Sequence, residues 1–216
     1  MSPIAKVGIG VTSLGTLATT GYFGISYLQQ DTAINKLIKE KFEYVLLNTS
    51  QDSGNSDNKH WNTKWTKYNN DNATATTGKD FLQLNGWTAN NQIDLTSELK
   101  KKCEALAKSN EPVASLYEKI TKYCARGVTF EEQARKDKLS ILITDAQGKD
   151  ASIWTSRFTN KNTLTDQLSK LTITDTSTAD KIREGCETAK SKNKQVPDYS
   201  AVYEAYKKVC TKQAGE

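Results

Sequence analysis

Two stretches decide the fold: residues 113–124, VASLYEKITKYC, and residues 199–210, YSAVYEAYKKVC. Tyr117, Glu118, Lys122 and Cys124 of the first fall on Tyr203, Glu204, Lys208 and Cys210 of the second. The apolar positions superpose as well. Val113, Leu116, Tyr117, Ile120, Tyr123 and Cys124 match Tyr199, Val202, Tyr203, Tyr206, Val209 and Cys210. Steps of three and four residues place each set on one face of a helix. The chain therefore reads as an internal repeat, each copy closing on an amphipathic helix with a Cys at its end.

Working outward, Leu99-x-x-x-Cys103 recurs as Ile182-x-x-x-Cys186, and Asp94 falls on Ser177, both suited to capping a helix start. Further upstream Trp65-Thr66 falls on Trp154-Thr155, and Leu82-x-Leu84 on Leu171-x-Ile173. A β-like run precedes each Trp: YVLLN at 44–48 and SILIT at 140–144. Pro112 and Pro197 mark the turns between the paired helices, where a helix start tolerates proline. One unit reads as short strand, loop, Trp segment, second short strand, capped helix with Cys, turn, and helix ending in Cys. The expected class is α+β, helix-rich, with residues 1–30 a membrane helix and 31–41 juxtamembrane. Residues 42–126 form unit one, 127–137 a connector and 138–216 unit two.

Composition limits the function. Of 216 residues, 36% are hydrophobic, and mean hydropathy is −0.66, so the cores are thin. The net charge of +5 comes from 26 Lys and only four Arg, at 126, 135, 157 and 183. Arg is the usual fork for phosphate and guanine, so no nucleic acid partner is expected. A single His and the lack of any Cys-x-x-Cys argue against His-dependent triads and ordinary zinc sites. No phosphate loop, nucleophile elbow or His-Glu-x-x-His occurs, and no cofactor, metal ligand or catalytic residue is expected. Glu131-Glu132 reads as a solvated helix face, and the AQGKD run at 146–150 as a turn whose ligand spacing is incomplete for calcium.

No charge interrupts the chain between Lys6 and Asp31. Val7 to Leu28 is long enough, as a helix, to cross a bilayer core at ~1.5 Å per residue. Gly8, Thr12, Thr16, Thr20 and Gly24 recur every four residues, a small-residue stripe suited to packing on another membrane helix. An uncleaved signal anchor is preferred over a cleaved signal, because a small-x-small cleavage site is weak here. Flanking charge leaves the orientation open, since Lys36, Lys39 and Lys41 follow the span.

The four Cys fall two per unit, and their regular placement favours disulfides over free buried thiols. The simplest pairing is internal, Cys103–Cys124 and Cys186–Cys210, with pairing between units as the fallback. Closing a loop of this length adds about 3 kcal/mol on the chain-entropy model. A geometric difficulty attends it. Cys103 lies near its turn and Cys124 far from it, a mismatch of roughly 10 Å of helical rise in a tight hairpin. Disulfides imply an oxidising space.

Trp65 recurs as Trp154 and so reads as core. Trp61 and Trp87 have no counterpart in unit two and are the candidates for an exposed contact. Asn48-Thr49-Ser50 and Asn72-Ala73-Thr74 match the glycosylation pattern.

The start MSPIAK, the Gly- and Thr-rich span and the Trp- and Cys-marked body resemble the expanded paralogous families of uncharacterised surface proteins of haemotropic mycoplasmas. The Lys, Asn and Thr bias fits AT-rich genomes of that kind. The resemblance covers the whole chain and rests on architecture and composition. It implies a single-pass cell-membrane protein with an extracellular body, an antigen or host-interaction module. Its partners would be the membrane and host surface molecules or antibodies. It carries no catalytic residues over, and no enzyme is expected. The alternative is an accessory subunit of a membrane complex, packing through the small-residue face of its N-terminal helix.

Overall fold

The computed structural model describes residues 32–145 and 148–216. The expected membrane span, with Gly8, Thr12, Thr16, Thr20 and Gly24, lies outside them. Among the described residues no helix is long and apolar enough to cross a membrane. The architecture there is helix-rich α+β: nine α-helices, a two-stranded sheet and two disulfides.

The first half opens with α1 (Ala33–Lys41), whose Thr32 side chain accepts from the Asn35 N–H. It ends in a left-handed Phe42, φ 50°. Strand β1 (Tyr44–Leu46) follows, then α2 (Asn58–Asp71), a long irregular segment, α3 (Thr96–Ala107) and α4 (Val113–Tyr123). The chain leaves α4 as β2 (Ala125–Gly127), antiparallel to β1 with Val45 opposite Arg126. The second half opens with α5 (Phe130–Lys136), held by a capping box. Thr129 accepts from the Glu132 N–H, and the Glu132 carboxylate reaches back to the Thr129 N–H. It continues through α6 (Ala151–Thr159), a 3-10 turn (Lys161–Leu164), α7 (Thr165–Lys170), α8 (Ala179–Ala189) and α9 (Tyr199–Cys210).

Several expectations need correction. The runs 82–84 and 171–173 are not strands; each contains a left-handed residue, Gln83 at φ 56° and Thr172 at φ 61°, between two buried aliphatics. SILIT contributes only an isolated bridge, Ile141 to Thr211. The strand partner of YVLLN is the unpredicted Ala125–Gly127. The expected connector holds α5, and the expected juxtamembrane segment holds α1.

Both halves repeat one set of contacts. The Leu47 N–H donates to the Cys124 carbonyl, and Leu142 to Cys210, each at 3.0 Å. The Asp57 carboxylate accepts from the Asn48 N–H at 2.7 Å, and Asp150 from Ile143 at 2.8 Å. The Trp61 indole donates to the Asn48 carbonyl at 2.6 Å, and Trp154 to Ile143 at 3.0 Å. A cation one turn further on caps the last helix: Lys64 donates to the Lys122 carbonyl, Arg157 to Val209 and Thr211. The Tyr117 hydroxyl donates to Glu43 and Tyr203 to Asp137, both at 2.8 Å. Trp154 thus answers to Trp61, not Trp65; the Trp-Thr pair of the first half lies one helical turn further on, on the same face.

Each half has its own core. The first gathers Ile34, Leu47, Trp61, Tyr68, Trp87, Leu99, Leu116 and Ile120, and the second Phe130, Leu142, Trp154, Ile182, Tyr206 and Val209. One disulfide lies in each: Cys103–Cys124, Cα atoms 5.5 Å apart, and Cys186–Cys210, 5.6 Å apart. The rise mismatch is absorbed by geometry. With Cys103 one turn from the end of α3 and Cys124 past the end of α4, the helices cannot run as a tight hairpin.

The seam between halves joins Arg126 to Glu132 in a bidentate ion pair and lays the Phe42 ring under the Lys136 and Lys194 ammoniums. Lys194 donates from its backbone to the Val128 carbonyl and from Nζ to the Phe42 carbonyl, and the Gln195 amide donates to Glu43. These residues belong to the α8–α9 loop, which is longer than its α3–α4 counterpart. Gly127 lets that loop close in, since a Cβ there would stand 1.6 Å from Gln195 Oε1 and 2.8 Å from Asn193 Cγ.

Candidate functional site

The exposed-contact expectation fails for both tryptophans: Trp61 and Trp87 are 0% exposed. The physical reason is local. The Trp61 indole is tied to the strand end, and that of Trp87 donates to the Ala75 carbonyl at 2.9 Å. A Trp whose N–H is used internally and whose rings are packed has nothing left to offer a partner. Trp65 is half-buried, edge-on to Trp87 at 6.2 Å.

Trp87 instead anchors a lobe larger than its counterpart in the second half. It is built on the C-terminal end of α2 from residues 72–95, the place taken in the second half by α7 and the shorter stretch that joins it to α8. Tyr68, fully buried, donates its hydroxyl to Asp80 and accepts from the Leu82 N–H at 2.9 Å. The same Asp80 oxygen accepts from the Leu84 N–H at 2.7 Å. Burial first, then the Asp80 carboxylate, push the Tyr68 phenol far above its ordinary value, so it stays a neutral donor. Asn72 donates to the Tyr68 carbonyl and accepts from the Phe81 N–H. Asn69 holds the Asn91 carbonyl, and the Asn90 N–H donates to Ala73. Edge-to-face rings, Tyr68 on Trp87 at 5.5 Å and on Tyr123 at 4.7 Å, fill the base.

The lobe's surface differs from the rest of the molecule. Phe81 at 40% and Ile93 at 65% are the exposed large hydrophobics among the described residues, and both sit on it. Phe81 lies edge-on to Tyr123 at 5.6 Å, under the Lys122 ammonium at 5.0 Å. Lys170 takes the corresponding place before Leu171 in the second half. Between residues 73 and 93 the only charged side chains are Lys79 and Asp80, and Asp80 is buried. The remaining exposed side chains are mostly Thr, Asn and Gln. Sequence reasoning missed Phe81 and Ile93, although the signal was there: an uncharged, Thr- and Asn-rich stretch in a chain one quarter charged.

Two hollows lie on the second half. A groove of about 590 Å³ runs between α7, α9 and residues 211–214. Its lysines are largely paired, Lys170 with Asp166 and Lys207 with Glu204. A pocket of about 340 Å³ lies at the start of α6, lined by Asp150, Trp154, Asp180 and Arg183 among others. There Arg183 is held by the Thr144 carbonyl and Asp180. Burial pushes the Asp150 carboxyl up, but the Ile143 N–H and the Lys212 ammonium outweigh it and keep it below the usual range. Among the described residues no cluster of three His, Cys, Asp or Glu side chains is placed to hold a metal.

All four Cys are bonded, in the internal pairing. Of the glycosylation motifs, Asn72 is 7% exposed with both ends of its amide engaged, and Asn48 accepts from the Ser50 N–H. Compared with family models, characterised proteins and solved structures, the chain matches none of them.

Proposed function

We propose that this protein is a membrane-tethered, outward-facing module of two tandem related units that acts by contact rather than by catalysis. In this reading it belongs with the surface families of haemotropic mycoplasmas that its sequence resembles. The observation that carries the proposal is the closed pair of disulfides, one in each half, with no free Cys left. Disulfides persist where thiols are not kept reduced, which for a body behind an uncharged N-terminal span means the outer face of the membrane. The repeated strand, Trp and Tyr contacts support the tandem reading.

The contact surface is the lobe of the first half. Two exposed apolar side chains, Phe81 beneath the Lys122 ammonium and Ile93, sit among mostly amide and hydroxyl side chains, a composition close to that of protein-binding surfaces poor in charge at their centre. The partner is therefore a protein surface of low charge. Protease applied to intact cells tests the placement. The body is expected to be removed without permeabilisation, with its cysteines unreactive to alkylation until reduced. A body protected until the membrane is opened would contradict the proposal.

A further inference from the structure

Each half sets a cation against the end of its last helix, and the two cations have different partners. In the second half Arg157 is buried, at 6% exposure. Its Nη1 and Nη2 donate to the Glu216 carboxylate at 2.5 and 2.7 Å, and its Nε and Nη2 to the Val209 and Thr211 carbonyls, each at 3.2 Å. The carboxylate arrives on residues 211–216, which turn back from the end of α9. Gln213 holds that turn: its N–H donates to Glu216 Oε2 at 2.8 Å, and its Nε2 to the Lys207 and Thr211 carbonyls at 2.9 Å. An acidic peptide seated on a cation is thus a contact that this fold already makes.

In the first half Lys64 holds the place of Arg157. It is half-buried, and its Nζ donates once, to the Lys122 carbonyl at 2.9 Å, although an ammonium carries three donors. Among the described residues no carboxylate stands within ion-pair distance of it. Asp71, further along α2, is taken by Lys67, Lys122 and the Tyr123 hydroxyl. The reason lies in the course of the chain. Glu216 stands six residues past Cys210, and the residue six past Cys124 is Phe130, buried in the core of the second half. Where the second half turns a tail back onto its cation, the first half runs on through β2 into α5. Burial first, then the Lys67 charge, pull the Lys64 ammonium down to about 8, as befits a cation short of both water and counter-charge.

We propose that Lys64 and the end of α4 form a seat for an acidic side chain on a peptide of a partner protein, held as residues 213–216 are held on Arg157. The Lys122 carbonyl fixes the ammonium and leaves its other two donors for the carboxylate. The second element of the seat is the Thr121 carbonyl, which stands where Lys207 stands in the second half. It lies in the last turn of α4, where carbonyls have no partner inside the helix, and accepts an amide N–H as Lys207 accepts that of Gln213. This seat lies apart from Phe81 and Ile93, uses charge rather than apolar contact, and does not depend on the role proposed for them.

An NMR titration of the isotope-labelled full chain tests the proposal, with the acetylated and amidated peptide Gln-Ala-Gly-Glu, the sequence of residues 213–216, as probe. Amide signals around Lys64 and the end of α4 are expected to shift and saturate. In saturating peptide, trace acetic anhydride acylates Lys64 more slowly, while exposed Lys59 reacts as before. The same peptide with Gln in place of Glu binds at least about tenfold more weakly, because it forms no charge-assisted bond. Lys64→Arg, which supplies the fork of the second half, binds about threefold more tightly or better. Lys64→Met abolishes the shifts, and the acylation of the native chain decides the matter should that variant not fold. No shift at about 10 mM peptide, equal binding of the Gln peptide, or shifts confined to the surroundings of Arg157 would overturn the proposal. Acetate binding as tightly as the peptide would overturn the peptide partner.

Discussion

Removing the Cys186–Cys210 bridge with a Cys186→Ala/Cys210→Ala variant separates the stability of the two halves. The bridged residues are 24 apart in sequence. On the chain-entropy model a loop of that size restrains the unfolded chain by about 3.4 kcal/mol. The halves have separate cores, and the seam holds the Lys194 and Gln195 hydrogen bonds, the bidentate Arg126–Glu132 ion pair and Phe42 beneath the Lys136 and Lys194 ammoniums. The loss therefore falls on the second half. A body of fewer than 100 residues loses about 4–8 °C of Tm per kcal/mol, so its transition drops by about 14–27 °C. Three of the four Trp (61, 65 and 87) lie in the first half. Their fluorescence change is expected to keep its midpoint, while far-UV circular dichroism splits into two steps. A loss under about 1 kcal/mol would refute the loop-closure reasoning. A joint shift of both probes would refute the independence of the halves.

Three further predictions follow from particular side chains. Trp61→Phe costs about 2–4 kcal/mol, from a buried cavity and a lost hydrogen bond, whereas the half-buried Trp65→Phe costs under about 1 kcal/mol; urea titration compares them. The Asp150 carboxyl is held below its ordinary value, so its contribution is complete above the unfolded value of about 4 and is lost as pH falls through the folded one; Asp150→Asn should flatten the acid limb of a stability–pH curve below about pH 4 and destabilise the protein at neutral pH. A Cβ on Gly185 would stand 2.6–2.8 Å from three carbons of the buried Ile173, so Gly185→Ala destabilises by about 1–2 kcal/mol despite better helix propensity, and Ile173→Ala in the same chain should remove most of that coupling in a double-mutant cycle.

The helical Cys-bearing segments were legible because burial on a helix leaves a period that two copies reinforce. Leu116, Ile120, Tyr206 and Val209, placed by that period, are 0–1% exposed. The disulfide pairing was legible from the same repeat. Strand β2 was not, since Ala-Arg-Gly carries no β-branched signal and pairs only because the chain leaves α4 beside β1. The left-handed turns at Gln83 and Thr172 mimicked strands because their flanking aliphatics alternate as a strand's would. Helix α5 is readable from Thr129 and Glu132, a capping box set in a stretch whose charge suggests a connector. The contact surface was misread for a more general reason. A residue lacking a counterpart in the other copy need not be exposed: Trp87 is the core of a lobe that is larger in the first half. The true candidates, Phe81 and Ile93, are ordinary residues by type, and only exposure distinguishes them.

The central claim is that two related halves, each closed by its own disulfide, make a body built for an oxidising space. A non-reducing peptide map of the protein taken from its native cells, with thiols blocked at lysis, tests it most directly. The account predicts two linked peptides, one joining Cys103 to Cys124 and one joining Cys186 to Cys210, with no blocked Cys. Four blocked cysteines, or links that cross from one half to the other, would contradict it.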